Sequence, residues 1–394
     1  MQKAFIFGAG ANGAFLARVA REAGYELVFG DVSQKALNYV LQPGGYKVDV
    51  VHLDKPTETI TIDNVVKAYL ISEDNRFNIA KEIAESDLVF TAVGKDNLDS
   101  IIPYLEAGLN LFLTGYSGTK NIILGENLIG AGEIVREKLD VLFQQYPIEA
   151  EERIGIANSA IHIMSKRDQK TGRIVSEAYT NEDLIVDKDA FRGNLPNLTM
   201  LTYTPFARME RRKLNGHNLM HMALGVLAHR KCIKSVDKAA VDPEIRDFAM
   251  AVTYASFLAL SKEYGKDDPY YFDAVKLLVH RDIVYKRATS PYLADDVDRL
   301  IRNPSSKLKK NDRVIGPALL CLKYGIDVSP IAKLAAMTLQ LGDFGTDIWL
   351  SGIESTIIGY TGLDSANNKD KELVSRIKKE YENLPISNIV ISPQ

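Results

Sequence analysis

Cysteine is almost missing from this 394-residue chain, with only Cys232 and Cys321 present. Two thiols cannot build a cysteine-rich zinc cluster or a disulfide framework, and so low a count fits a reducing compartment. Long apolar runs are missing too: no stretch reaches the roughly 18 residues a membrane-spanning helix requires. The opening "MQKAFIFGAG" has one lysine and a short apolar run before its glycines, too short for a signal peptide, and reads as a first β-strand. A basic excess is absent as well. Lys and Arg number 48 against 51 Asp and Glu, a net charge of −3 that leaves nothing to neutralise nucleic-acid phosphates. The densest basic run, "KLKK" at 307–310, reads as a solvated face. No internal repeat or low-complexity segment interrupts the chain, and the tail "ISPQ" reads as frayed. These absences leave a cytoplasmic protein, a monomer or small homo-oligomer, whose partner is a small molecule and neither nucleic acid nor membrane.

What is present is a globular composition, 46% apolar and 25% charged, in a chain too long for one ordinary core. Two domains are expected. "KAFIF", "GAFLARVAREAG" and "ELVFGD" read as strand, helix and strand. "YKVDVVHL" and "TETITIDNVVKAYLIS" alternate like an inserted β-meander. "NIAKEIAES" reads as helix, "DLVFTAVG" as a strand ending in a glycine loop, "LNLFLTG" and "GIANSAIHIM" as further strands, and "REKLDVLFQQY" as helix. Alternating strand and helix over 1–190 predicts a parallel doubly wound α/β sheet. Composition shifts at "RGNLPNL" (192–198), and the segments beyond it have helical period, so 191–394 is expected to be a mainly helical second domain.

Gly8, Gly10 and Gly13 form G-x-G-x-x-G directly after the first strand. The first glycine permits a tight turn, the second lets the backbone approach a pyrophosphate, and the third lets helix pack on strand. The cofactor-binding candidates are therefore Gly8, Ala9, Gly10, Ala11, Asn12 and Gly13. Asp31 ends the second strand 18 residues after Gly13. A carboxylate there binds ribose hydroxyls and repels a 2′-phosphate, and Val32 follows where an NADP site often carries arginine. The pattern points to NAD; a different nucleotide fold is the alternative. Ala92, Val93 and Gly94, in "TAVG", read either as a loop along the cofactor or as an ordinary strand-to-helix turn.

"KLNGHNLMH" (213–221) crowds polar groups against the apolar run "MALGVLAH". On a helix, Lys213, Asn218 and His221 share one broad sector. Burial of Asn218 and His221 demands partners, and burial of a lysine lowers its pKa. That makes Lys213 a candidate general base. Alternatively, Lys213 is exposed at a helix start and the histidines are satisfied core residues.

Lysine at i, asparagine at i+5 and histidine at i+8, after a nucleotide fold, resembles the polyol-specific long-chain dehydrogenases. "FGAGANGAF" is similar to that family's "FGAGxIGRGF", "DLVFTAVG" to "DLVTTAVG" and "LIVDKDAFRGNLPNL" to "WIVDKxxFKGxLPNI". "GENLIGAGEIVREKL" is similar to "CENMxRxTxxLKxxV", and "PYLADDVDRLIRNPSSKL" to "PYLxDDVERVGRxPxRKL". The resemblance implies an NAD-dependent, metal-free oxidoreductase with Lys213 as base, Asn218 and Asn127 as donors to the reacting oxygen, and His221 orienting the substrate. It also places Asn158 on the strand that passes the nicotinamide, as a cofactor-binding residue. The implied reaction interconverts mannitol 1-phosphate and fructose 6-phosphate. Two departures bear on the substrate: Arg211 stands where the family has glutamate, and Gly316, in "DRVIGP", where it has lysine. Arg313 keeps its place and is the candidate ligand for a substrate anion or hydroxyl, with pairing to Asp312 as the alternative. Asn215 and His217 form a second pair whose spacing to the lysine fits less well. A hexuronate reductase, a dehydrogenase of another polyol and an NAD-sensing protein on the same fold are the remaining readings.

The Asp31–Val32 pair generates a direct expectation. A 2′-phosphate set against the carboxylate costs several kcal/mol. Catalytic efficiency with NADH should exceed that with NADPH by about a hundredfold or more, and equal efficiencies would contradict the assignment.

Overall fold

The structure is a computed structural model that describes residues 2–168, 172–291, 295–341 and 344–385. The tail "ISPQ" and part of "PYLADD" lie outside the described residues. The chain divides into two compact units, Met1–Glu210 and Arg211–Gln394.

The first unit is built on an eight-stranded sheet. In chain order its strands are β1 (Lys3–Phe7), β2 (Glu26–Asp31), β5 (Val65–Leu70), β6 (Leu88–Thr91), β7 (Lys120–Leu124), β8 (Ile154–Ile161), β11 (Leu184–Asp187) and β12 (Leu201–Tyr203). The spatial order is β12-β11-β8-β7-β6-β1-β2-β5. Every pair is parallel except β8 with β11, which is antiparallel. The central strands are buried on both faces, as the continuous apolar runs "AFIF" and "LVF" require. Strand order reverses between β1 and β6, the switch point at which open α/β sheets bind ligands outside the strands' carboxyl ends.

A second, four-stranded sheet has the order β4-β3-β10-β9, from β3 (Tyr46–Val51), β4 (Glu58–Ile62), β9 (Ser165–Arg167) and β10 (Ile174–Glu177). The expected meander is thus split. β3 and β4 do pair antiparallel, but β5 leaves them to extend the main sheet beside β2.

"LNLFLTG" is not a strand. It is the end of helix α4 (Leu98–Gly115), whose buried Ile101, Leu105, Gly108, Leu109 and Phe112 recur at helical spacing. Gly108 lets α4 press against helix α3 (Arg76–Glu85): a Cβ there would stand 2.5 Å from Ile83 Cγ2. The strand at that point of the sheet is β7, "KNIIL", whose five residues are all buried. Its first side chain, Lys120, donates to the Ala84 carbonyl at 3.1 Å and to the Ser86 carbonyl, and its ammonium lies 4.7 Å from the Phe112 ring centre. Burial pushes that amine down to about 8.

The first unit runs through Glu210, past the compositional shift, because β12 follows "RGNLPNL" and still pairs with β11. The second unit is helical. Leu219–Arg230, Pro243–Tyr264, Ala274–Ala288, Ile315–Lys323 and Ser329–Thr338 are its principal helices, with Asn368–Asn383 last among the described residues. Its starts follow side-chain chemistry. Asp242 caps the longest helix by accepting from Glu244 and Ile245 N–H at 3.0 and 3.1 Å, with Pro243 in the first turn, and Asp273 does the same for the next helix. Leu219–Arg230 buries nine of its residues, which is why its apolar side chains surround it on all sides.

Candidate active site

In the first unit the site begins where β1 stops. Gly8, at φ +96°, donates to the Gly30 carbonyl at 2.7 Å, and a Cβ on it would stand 2.5 Å from the Ala92 carbonyl oxygen. Gly13 is as constrained: a Cβ there would lie 1.8 Å from the Gly8 carbonyl oxygen. Gly10 is the opposite case. It is exposed, and nothing lies within 4 Å of where its Cβ would be. The turn therefore packs tightly through its first and third glycines and leaves open space over the second, where helix α1 (Ala11–Glu22) begins. No side chain caps that helix, so the backbone groups at Ala11 and Asn12 stay available to an anion. This cradle fits a dinucleotide pyrophosphate.

Asp31 is fixed at the lip of the same turn. It accepts from Ala9 N–H at 2.6 Å through one oxygen and from Ser33 N–H at 2.7 Å through the other. Each oxygen keeps a second acceptor position for a ribose hydroxyl. Val32 beside it is 70% exposed and carries no charge.

Ala92, Val93 and Gly94 form the loop after β6, against the Gly8 turn. That loop is tied down by a residue the sequence reading passed over. Glu126 is buried after β7, accepts from the Thr91 hydroxyl, and takes the Val93 N–H at 3.0 Å. Burial raises its pKa against the effect of those hydrogen bonds. Its neighbour Asn127 is exposed at the same end of β7. Asn158 is buried on β8, and its amide braces helix α5 (Ala131–Lys138): the oxygen accepts from Gly132 N–H at 2.7 Å and the nitrogen donates to Glu133 at 3.1 Å.

In the second unit Lys213 ends a short helix, Ala207–Lys213, and the next five residues, Leu214–Asn218, form a π-turn. The distinction matters. On a regular α-helix a residue five positions on is rotated by about 140°, whereas i→i+5 bonding sets position 218 one turn below position 213. Two contacts hold the wide turn. Gly216 packs on Phe257 of the Pro243–Tyr264 helix so closely that a Cβ would stand 2.4 Å from the ring. Ser256 Oγ donates to the Asn215 carbonyl at 2.8 Å, supplying a partner where the helical ladder is disturbed.

Asn218 is buried, and Lys213 and His221 are half-buried. The His217 and His221 rings meet at 4.4 Å between centres, tilted 53° to each other. His221 Nε2 is enclosed and has no hydrogen-bond partner among the described residues. Burial first, then the positive charges of Arg299 and Arg313, push its pKa down to about 4. The imidazole is therefore neutral at pH 7, and Arg313 belongs to its surroundings. Arg313 also donates through Nε to Asp312 at 2.9 Å, so both expected roles are open to it. Asn215 is fully buried, and neither end of its side-chain amide finds a partner among the described residues. The two departures from the family pattern are neighbours: Arg211 Nη1 lies 3.6 Å from the position of a Cβ on Gly316. A Cβ at 316 would stand in ordinary van der Waals contact with that guanidinium.

The neutral state of His221 has a measurable consequence. Its folded pKa lies below the ordinary 6.5, so the unfolded chain takes up a proton that the folded chain refuses. Stability present above pH 6.5 is lost as pH falls toward 4. We expect the His221 ring resonances to stay unchanged between pH 7 and 5, and His221→Asn to lessen the acid sensitivity of unfolding in that window. A ring titrating near 6.5 would contradict this.

Comparison with known proteins bears on the family and the fold. A model of the mannitol dehydrogenase Rossmann domain matches residues 2–199, and one of the mannitol dehydrogenase C-terminal domain matches 204–346. Mannitol-1-phosphate 5-dehydrogenase of Brevibacillus brevis is 27% identical over 365 residues, 92% of each chain. Two solved structures share the fold at 13% identity. One is the Pseudomonas fluorescens mannitol 2-dehydrogenase ternary complex with NAD and D-mannitol (TM-score 0.70, covering 97% of this chain and 91% of that one). The other is D-sorbitol dehydrogenase in substrate-free form (TM-score 0.72, covering 97% and 93%). Among the described residues no group of three histidine, cysteine or acidic side chains is placed to hold a metal, and no helix is long and apolar enough to cross a membrane. The chain belongs to the mannitol dehydrogenase family of oxidoreductases.

Proposed function

We propose that this protein is an NAD-dependent polyol dehydrogenase that interconverts a sugar-alcohol phosphate and a ketose phosphate, with mannitol 1-phosphate and fructose 6-phosphate as the assigned pair. The observation that carries the reading is the π-turn, which sets Asn218 one turn below Lys213 in the backbone ladder. Oxidation of a secondary alcohol needs a base for the hydroxyl proton and donors for the oxygen left behind. The Lys213 amine takes the proton. Asn218 is an amide donor that holds the oxygen as charge grows on it, and the family resemblance implies Asn127 as a second. His221, neutral by virtue of its surroundings, bonds a neighbouring substrate hydroxyl without adding a second positive charge beside the lysine. NAD, when bound, accepts the hydride. No step calls for a metal.

The phosphate assignment rests on Arg211 and Arg313. The cation missing at Gly316 is restored at Arg211, which lies against that glycine. A guanidinium binds carboxylate as readily as phosphate, so a hexuronate is the second reading. A screen of ketose phosphates, ketohexuronates and free ketoses with NADH separates the two. Turnover confined to hexuronates or free ketoses would overturn the phosphate assignment.

Removal of the base tests the mechanism. Lys213→Ala should lower the oxidation rate by about two to four orders of magnitude while leaving NADH affinity within twofold of wild type. Near-normal turnover in that variant would contradict the assignment.

A further inference from the structure

We infer that Arg167 is a phosphate ligand for the bound dinucleotide, delivered to the glycine turn by the smaller sheet. The inference rests on the reading of that turn as an NAD site. Arg167 is the last residue of β9, far along the chain from the G-x-G-x-x-G segment, yet its Nη2 donates to the Ala9 carbonyl at 3.4 Å. Ala9 lies between the first two glycines, and its own N–H is held by Asp31. The guanidinium therefore sits at the rim of the turn whose uncapped backbone groups face the open space over Gly10.

Three features show a prepared group. The guanidinium carbon lies 4.6 Å from the centre of the Tyr39 ring, a stack that fixes the plane of the fork. Tyr39 is itself fixed: its hydroxyl donates to the Lys47 carbonyl at 2.6 Å and accepts from Ile174 N–H at 3.3 Å. The other fork nitrogen, Nη1, donates to the Gly172 carbonyl at 2.8 Å. Every acceptor that Arg167 meets is thus a backbone carbonyl, and no ion pair among the described residues neutralises it. Its neighbour on the adjoining arm of the β9–β10 hairpin contrasts with it: Arg173 pairs with Asp49 at 2.6 Å. A half-buried guanidinium held by carbonyls and an aromatic face keeps its full charge for an incoming anion. The anion that the turn itself selects is the pyrophosphate.

The assignment separates from a purely structural role because only a phosphate ligand discriminates among nucleotide fragments. Binding of NADH, NADPH, ADP and adenosine to the full chain is measured by calorimetry, in the wild type and in Arg167→Ala and Arg167→Lys, with melting temperatures confirming folding. Arg167→Ala should weaken ADP and NADH about ten- to hundredfold, the span of one charge-assisted hydrogen bond. Adenosine should bind as in the wild type, and Arg167→Lys should recover part of the ADP affinity. Unchanged ADP affinity, or equal weakening of ADP and adenosine, would overturn the assignment. So would a loss confined to NADPH, which would place the guanidinium on a 2′-phosphate. A wild type that binds neither NADH nor ADP would instead sink the dinucleotide reading, and this inference with it.

Discussion

The chemistry proposed for the second unit depends on one break in helical register. An unbroken α-helix through 213–221 would turn position 218 about 140° from position 213; the i→i+5 turn at Leu214–Asn218 sets it one turn along the backbone. Wide turns are poor structure on their own, so something outside the helix must stabilise this one. Here the Phe257 ring against Gly216 and the Ser256 hydroxyl on the Asn215 carbonyl do so, both from the Pro243–Tyr264 helix. The longest helix of the unit is therefore more than a core element. Its burial of Ile245, Val252 and Leu260 positions the two groups that brace the wide turn. Gly216 has a packing role for the same reason: any side chain there would drive the ring away.

The first unit solves a different problem, the close approach of backbone to a polyanion. Gly8 and Gly13 remove side chains where the turn must pack, and Gly10 removes one where a ligand must enter. Asp31 and Glu126 then act as clamps. One holds the turn through Ala9 and Ser33; the other holds the loop after β6 through Thr91 and Val93. Each carboxylate fixes a loop that carries few side chains of its own to fix it. The smaller sheet adds a third tie, with Arg167 on the Ala9 carbonyl.

Much of this was legible in the residues because the local signals were strong. Strands such as "KAFIF" and "ELVFGD" announce themselves by their short apolar runs, and the helices of the second unit by their period. Ambiguity arose where a short apolar run suits either period. "LNLFLTG" resembles a buried strand in isolation, and only its continuity with "LDSIIPYLEAG" and the packing of Gly108 on Ile83 make it helix. The split of the apparent meander was not legible, since β5 leaves its sequence neighbours for a partner, β2, that no local pattern names. At the site, the triplet Lys213, Asn218 and His221 was visible as spacing, but the π-turn that gives the spacing meaning was not. Nor were Glu126, Arg167 and the apposition of Arg211 with Gly316, because each depends on residues distant in the chain.

The central claim is that the proton leaves to Lys213 rather than to either histidine beside it. Single-turnover hydride transfer, followed as a function of pH, tests this most directly. The account predicts a step in the rate as the amine loses its proton, retained in His221→Ala at a lower rate and absent from Lys213→Ala. A step that survives in Lys213→Ala and vanishes only in His221→Ala would contradict it.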